Sequence, residues 1–183
     1  MNLPNKLTIL RVIMVPLMVL FLVLDFGKTG DYIALAIFCL ASFTDYLDGH
    51  LARKNHLVTD FGKFMDPLAD KLLVGSAAIC LVEQGLLPAW MVCVLIGREF
   101  VISGFRLVAA ENGVVIAASI WGKLKTTCQM FMTIALMLHF DHPAWQMLEQ
   151  ILVWGSLILT ILSLVDYIYK NRQVLKGGEK SGI

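Results

Sequence analysis

Six apolar segments, each closed off by Gly, Pro or charged residues, leave few folds open to this 183-residue chain. They cover residues 7–24, 32–51, 68–82, 88–110, 122–140 and 148–169. A helix that crosses a bilayer needs roughly 17–25 mostly apolar residues. Only the segment 68–82 falls short, and a backward extension towards Phe61 would complete it. The breaks fall at residues 25–31, at Gln84 and Gly85, at residues 111–113 and at residues 141–143, where Gly or Pro with polar neighbours marks a turn. Hydrophobic residues make up 58% of the chain and charged ones 16%, whereas soluble domains sit nearer ~45–50% and ~25%. So large an apolar excess, arranged in blocks, needs lipid as its solvent. The expected fold is an all-α integral membrane protein, a six-transmembrane-helix bundle. It forms a single domain over residues 1–183 with a polar tail at 171–183.

Charge placement predicts the orientation. Let the N-terminus, the loops at 53–61 and 111–121, and the C-terminus share one side. That side then collects Lys6, Arg11, Arg53, Lys54, Lys63, Lys71, Arg106, Lys123, Lys125, Lys170, Arg172, Lys176 and Lys180. The opposite side keeps Lys28, and Arg98 lies within a span. Positive residues accumulate on the cytoplasmic side, so both termini are expected there, in a bacterial inner membrane. The net charge of +1 provides no basic field for nucleic acid. The segment 7–24 carries Arg11, lacks a small-residue cleavage site and is followed by further spans, so it is expected to be retained rather than removed as a signal peptide. Cys39, Cys80, Cys93 and Cys128 lie in apolar stretches without a CxxC-type neighbour and read as small buried hydrophobes.

The chemistry concentrates in the second and third segments. Residues three and four apart share a helix face, so Asp45, Asp48, Gly49 and Ala52 form one stripe, and Asp66 and Asp70 another. The intervening chain is short enough to make a helical hairpin, which lets the two acidic stripes meet. An Asp inside a span costs ~2.5–3.5 kcal/mol on insertion scales. Four carboxylates brought together would also repel one another. Divalent cations relieve both costs, and an all-oxygen donor set suits Mg²⁺ or Mn²⁺ better than zinc. Four acids on two helices can bridge two ions about 3.5–4 Å apart, the arrangement used for phosphoryl displacement. The alternative is a set of interfacial ion pairs with Arg53, Lys63 and Lys71. Gly49 and Ala52 either let a flat ligand approach the backbone or serve close helix packing.

The spacing D-x2-D-G-x2-A-R-x8-G-x3-D-x3-D is met at Asp45, Asp48, Gly49, Ala52, Arg53, Gly62, Asp66 and Asp70, and it resembles the signature of the CDP-alcohol phosphotransferase family. Further residues are similar to the branch of that family that forms phosphatidylglycerol phosphate: Pro4, Asn5, Thr8, Arg11, the run from Phe64 to Lys71, Arg98, Glu99, Arg106, Gly122, Lys123, Lys125 and Thr126. The resemblance implies six transmembrane helices in a homodimer, with a polar cavity open to the cytoplasm. It implies two divalent cations, with Asp45 and Asp66 touching both, Asp48 one and Asp70 the other. It makes Asp70 the catalytic base as well. Gly49 and Arg53, with Ala52 beside them, are implied to contact the CDP-lipid, and Asn5, Thr8 and Thr59 to lie nearby. The implied reaction moves the phosphatidyl group of CDP-diacylglycerol to glycerol 3-phosphate and releases CMP.

Arg98, Arg106, Lys123 and Lys125 form a second polar group. Arg98 sits about ten residues into its span beside Glu99, so it is either half of an Arg–Glu pair or part of a pocket for the acceptor's phosphate. Snorkelling accounts equally for Arg106 and Lys123. His50, His56, His139 and His142 have no ligand-like spacing and are given no role. Trp90, Trp145, Trp154, Tyr167 and Tyr169 read as interface anchors or packing. Two other readings stay open. One is a sister transferase acting on serine, inositol phosphate or phosphatidylglycerol. The other is a small cation transporter, although transporter sites favour the midplane and inverted repeats, and no repeat is visible here.

Overall fold

The structure, a computed structural model, describes residues 3–24, 26–54, 60–111, 113, 116 and 119–172; the side chains of residues 3–4, 46–54, 60–61 and 63–64 also lie outside the described set. Among the described residues the chain is all-helical, without a strand. The helices are α1 (Leu3–Val23), α2 (Lys28–Lys54), α3 (Asp60–Glu83), α4 (Ala89–Glu111), α5 (Ile120–Leu138) and α6 (Pro143–Lys170). Each expected segment is a helix. α3 begins at Asp60, which supplies the backward extension that the short segment 68–82 needed. α2 begins at Lys28, inside the stretch expected to be a turn. Two local causes account for this. Asp31 sits in the first turn, where an anion offsets the positive end of the helix dipole. Gly30 packs so tightly that a Cβ there would lie 2.7 Å from the Phe21 carbonyl oxygen, so the helix can start only with glycine at that contact.

The α3–α4 turn uses Gly85 at φ +75°, a left-handed conformation that glycine adopts without a steric penalty. At the start of α6, Pro143 occupies the first turn and the Ala144 N–H donates to His142 Nδ1 at 3.2 Å. His142 is therefore a helix N-cap, a role the sequence did not disclose.

The surface shows what solvent the helices are built for. Buried side chains include Arg11 (0% exposed) and Lys125 (2%), while Ile120 is 76% exposed and Phe100 73%. Buried cations under an apolar exterior invert the soluble pattern. α1 over Asn5–Val23 and α6 over Pro143–Lys170 are long and apolar enough to cross a membrane, and only 28% and 33% of those windows are buried. A soluble core helix would bury most of its surface, so these two are dressed for lipid. α2 to α4 carry charged residues within the helix. Among the described cysteines, Cys80 is buried as expected, whereas Cys39 and Cys93 are exposed. The correction follows from the same physics, because a small apolar side chain on a lipid-facing surface is as well placed as one in a core.

The helices fall into two compact units. The first holds α1, α2, α3 and residues 133–141; the second holds α4, residues 120–132 of α5, and α6. In the first, α1 packs against α2 and α3. Gln84 Nε2 donates to the Leu22 carbonyl at 3.3 Å and to Asp31 Oδ1 at 3.1 Å, so the end of α3 meets the end of α1 and the start of α2. Lys28 Nζ donates to Asp141 Oδ2 at 3.0 Å at the same end. That hydrogen bond and the attraction between the charges hold the Asp141 carboxyl below its ordinary pKa and raise the Lys28 ammonium. Any stability from the pair is present above the unfolded Asp pKa, is lost as pH falls through the lowered Asp141 value, and is lost again as pH rises through the raised Lys28 value. Exposed pairs contribute little, so Asp141→Asn is expected to leave the melting temperature nearly unchanged between pH 6 and 8.

In the second unit α4 packs against α6. α6 presents a buried polar stripe of Ser156, Thr160, Ser163 and Tyr167, spaced three and four residues apart. The Thr160 hydroxyl donates to the Ser156 carbonyl and the Ser163 hydroxyl to the Thr160 carbonyl, while Ser156 Oγ donates to Cys128 Sγ on α5 at 3.4 Å and the buried Tyr167 hydroxyl has no hydrogen-bond partner among the described residues. Small residues of this kind let helices approach closely in lipid.

Candidate active site

The first unit carries the carboxylates. Helical spacing turns Asp45 on α2 and Asp66 on α3 towards α1, and α1 answers with Arg11 and Thr8, which are three residues apart and so share a face. Arg11 Nη1 lies 2.8 Å from Asp45 Oδ1, an ion pair by distance though not an aligned hydrogen bond. Its Nε donates to the Ala41 carbonyl at 3.4 Å, one turn before Asp45 on the same helix. The Thr8 hydroxyl donates to Asp66 Oδ1 at 2.5 Å. Asp45 and Asp66 lie within electrostatic reach of each other. Asp70, one turn beyond Asp66, is half-buried, and Asn5 is half-buried on α1.

The side chains of Asp48, Gly49, Ala52 and Arg53, and all of Thr59, lie outside the described residues. Among the described residues no group of three or more His, Cys, Asp or Glu side chains could by itself hold a metal ion. Asp45 and Asp66 present carboxylate oxygens from two helices, a donor chemistry of the kind that suits a hard divalent cation. Sequence reasoning missed the work of Arg11. An arginine within an apolar segment was the available signal, since such a residue is tolerated only with a partner.

The second unit holds a separate cluster of charge. Glu99 Oε1 receives Arg98 Nη1 at 2.9 Å and Lys125 Nζ at 2.6 Å, so one carboxylate oxygen is shared by two cations from α4 and α5. Arg98 Nε donates to Ser163 Oγ on α6 at 3.1 Å. The guanidinium also lies against Gly122, where a Cβ would come 3.4 Å from Nη2. A larger residue at 122 would crowd the arginine. Arg98 and Lys125 are buried, whereas Arg106 and Lys123 are exposed. The structure thus brings together two of the four expected cations. It adds Glu99 and Ser163, the second of which had no sequence signal beyond its place on a polar stripe.

Fold and site together define a helical membrane protein with a carboxylate centre braced by its first helix. Residues 1–162 match the family described as CDP-alcohol phosphatidyltransferase, and the chain belongs to that family. It is similar to the CDP-diacylglycerol–glycerol-3-phosphate 3-phosphatidyltransferase of Bacillus subtilis (strain 168), with 44% identity over 189 residues, 96% of this chain and 97% of that relative. The Haemophilus influenzae protein of the same name is 39% identical over 183 residues, covering 96% and 94%. The one from Rickettsia typhi is 38% identical over 169 residues, covering 91% and 94%.

Proposed function

We propose that this chain transfers the phosphatidyl group of CDP-diacylglycerol to glycerol 3-phosphate, giving phosphatidylglycerol phosphate and CMP. The observation that carries the reading is that Asp45 and Asp66 come from different helices, lie within electrostatic reach of each other and are each held by a side chain of α1. The names of the relatives point the same way. In this reading Asp45, Asp48, Asp66 and Asp70 hold two divalent cations, Mg²⁺ or Mn²⁺. Such ions neutralise a pyrophosphate and the charge that develops on the departing nucleotide. Asp70 accepts the proton of the acceptor hydroxyl. That oxygen bonds to the phosphorus carrying diacylglycerol, and the bond from this phosphorus to the CMP oxygen breaks. A carboxylate that also binds metal is a weak base, so Asp70 contributes chiefly by orienting the hydroxyl, with the proton moving late. Gly49 and Ala52 give the nucleotide close access to the α2 backbone, Arg53 pairs with its phosphates, and Asn5 and Thr59 lie beside it.

Arg98, Arg106, Lys123 and Lys125 serve the acceptor's phosphate. The shared Glu99 supports this reading, because the triad of Arg98, Lys125 and Glu99 sums to a charge of +1 and suits an anion. Purified protein with CDP-diacylglycerol and a panel of acceptors tests the reaction. CMP release is expected with glycerol 3-phosphate and very little with glycerol, serine or inositol. Efficient release with serine would overturn the acceptor assignment.

The same reading makes all six helices membrane spans in a homodimer, with both termini and the active site on the cytoplasmic side. The meeting of Lys28 with Asp141 at one end of the first unit agrees with their loops sharing a side. Lys28→Cys and His142→Cys, each in a background lacking the native cysteines, are expected to react with an impermeant thiol reagent added to intact bacteria. Labelling only after the cells are opened would refute the topology.

A further inference from the structure

The resemblance places Thr8 beside the CDP-lipid, and in the structure its hydroxyl donates to a carboxylate of the site. Thr8 is 1% exposed, and its hydroxyl donates to Asp66 Oδ1 at 2.5 Å. A threonine hydroxyl has one hydrogen to give, and at this length it is given in a charge-assisted bond to a carboxylate. One turn along the same face of the same helix, Arg11 lies 2.8 Å from Asp45 as an ion pair. α1 therefore braces one carboxylate on each of the two acid-bearing helices.

We propose that Thr8 is a positioning residue for the Asp66 carboxylate, and that it fixes this group for a divalent cation rather than contacting the nucleotide. The inference rests on the reading of Asp66 as a metal ligand. Its physical content is rotational. A carboxylate in a span can turn about its side-chain torsions, and a donor held on a neighbouring helix fixes one oxygen and so aims the other. Groups that hold metal ligands in this way typically change metal affinity about 10–100-fold when removed.

The test uses full-length protein in detergent micelles and reads Mn²⁺ binding from the electron paramagnetic resonance signal of the free ion. Thr8→Val keeps the shape and removes the donor, and is expected to raise the Mn²⁺ Kd about 10–100-fold. Thr8→Ser keeps the donor and is expected to bind like the unaltered protein. At saturating Mn²⁺, the KM for CDP-diacylglycerol is expected to be unchanged in both. If Thr8→Val protein does not accumulate, Thr8→Ala carries the same expectations. An unchanged Mn²⁺ Kd in Thr8→Val, with a raised KM for CDP-diacylglycerol, would overturn the proposal and return Thr8 to the nucleotide. Asp66→Asn, measured alongside, separates the two levels. If it binds Mn²⁺ normally, the metal reading of Asp66 falls and the proposal falls with it. If it fails to bind while Thr8→Val binds normally, only the role of Thr8 is wrong.

Discussion

Asp66→Asn is expected to remove nearly all CMP release while leaving the protein folded. The substitution keeps the size of the side chain and leaves an oxygen that the Thr8 hydroxyl can still reach, so the α1–α3 contact survives. What it removes is the negative charge and the second equivalent oxygen, which a ligand shared between two cations needs. The measurement is the initial rate of CMP release at saturating CDP-diacylglycerol and glycerol 3-phosphate, with melting temperature as the folding control. A residual rate above about a tenth, a deficit under ~1.4 kcal/mol, would sink the two-cation assignment. Asp45→Asn is expected to lose activity to a similar extent, with a lower melting temperature as well. The reason is Arg11, fully buried and 2.8 Å from Asp45, which loses the charge of that partner. Asp66→Asn is thus the cleaner test of chemistry. Asp70→Asn completes the series, losing turnover while retaining affinity for the CDP-lipid.

Lys125→Ala is expected to raise the KM for glycerol 3-phosphate about 10- to 100-fold, the equivalent of one hydrogen bond to a charged group at ~1.5–3 kcal/mol. The KM for CDP-diacylglycerol should hardly move. The phosphate of the acceptor is remote from its reacting hydroxyl and supplies binding, so its loss belongs in KM rather than in kcat. The site tolerates the change because Glu99 keeps Arg98 as a partner at 2.9 Å. Lys125→Arg restores the charge but not the compact point-like geometry, and should fall between the two. Arg106→Ala is expected to act in the same direction, more weakly, since Arg106 is exposed. An acceptor KM unchanged in both variants would overturn the phosphate assignment and leave membership of the family untouched.

Much of this was legible in the chain before any fold was known. Apolar blocks longer than a soluble core needs, broken by glycine and proline, determined six helices, because chain inside lipid must satisfy its own backbone hydrogen bonds. Periods of three and four residues determined that Asp45 shares a face with Asp48 and Asp66 with Asp70, because a helix repeats every 3.6 residues whatever surrounds it. Those are properties of single elements. The tertiary structure decided which side chain each acid meets. Thr8 lies 58 residues from Asp66, and Arg98 lies 65 from Ser163. Contacts at such separations depend on how each helix is rotated and how it crosses its neighbours, and spacing within a helix carries no information about either. For the same reason Arg11 could be recognised as a costly charge in an apolar segment, whereas its partner, Asp45, emerged only when α1 was packed against α2. One of the two causes of the early start of α2, the close approach of Gly30 to the Phe21 carbonyl oxygen, likewise exists only where the start of α2 packs against α1.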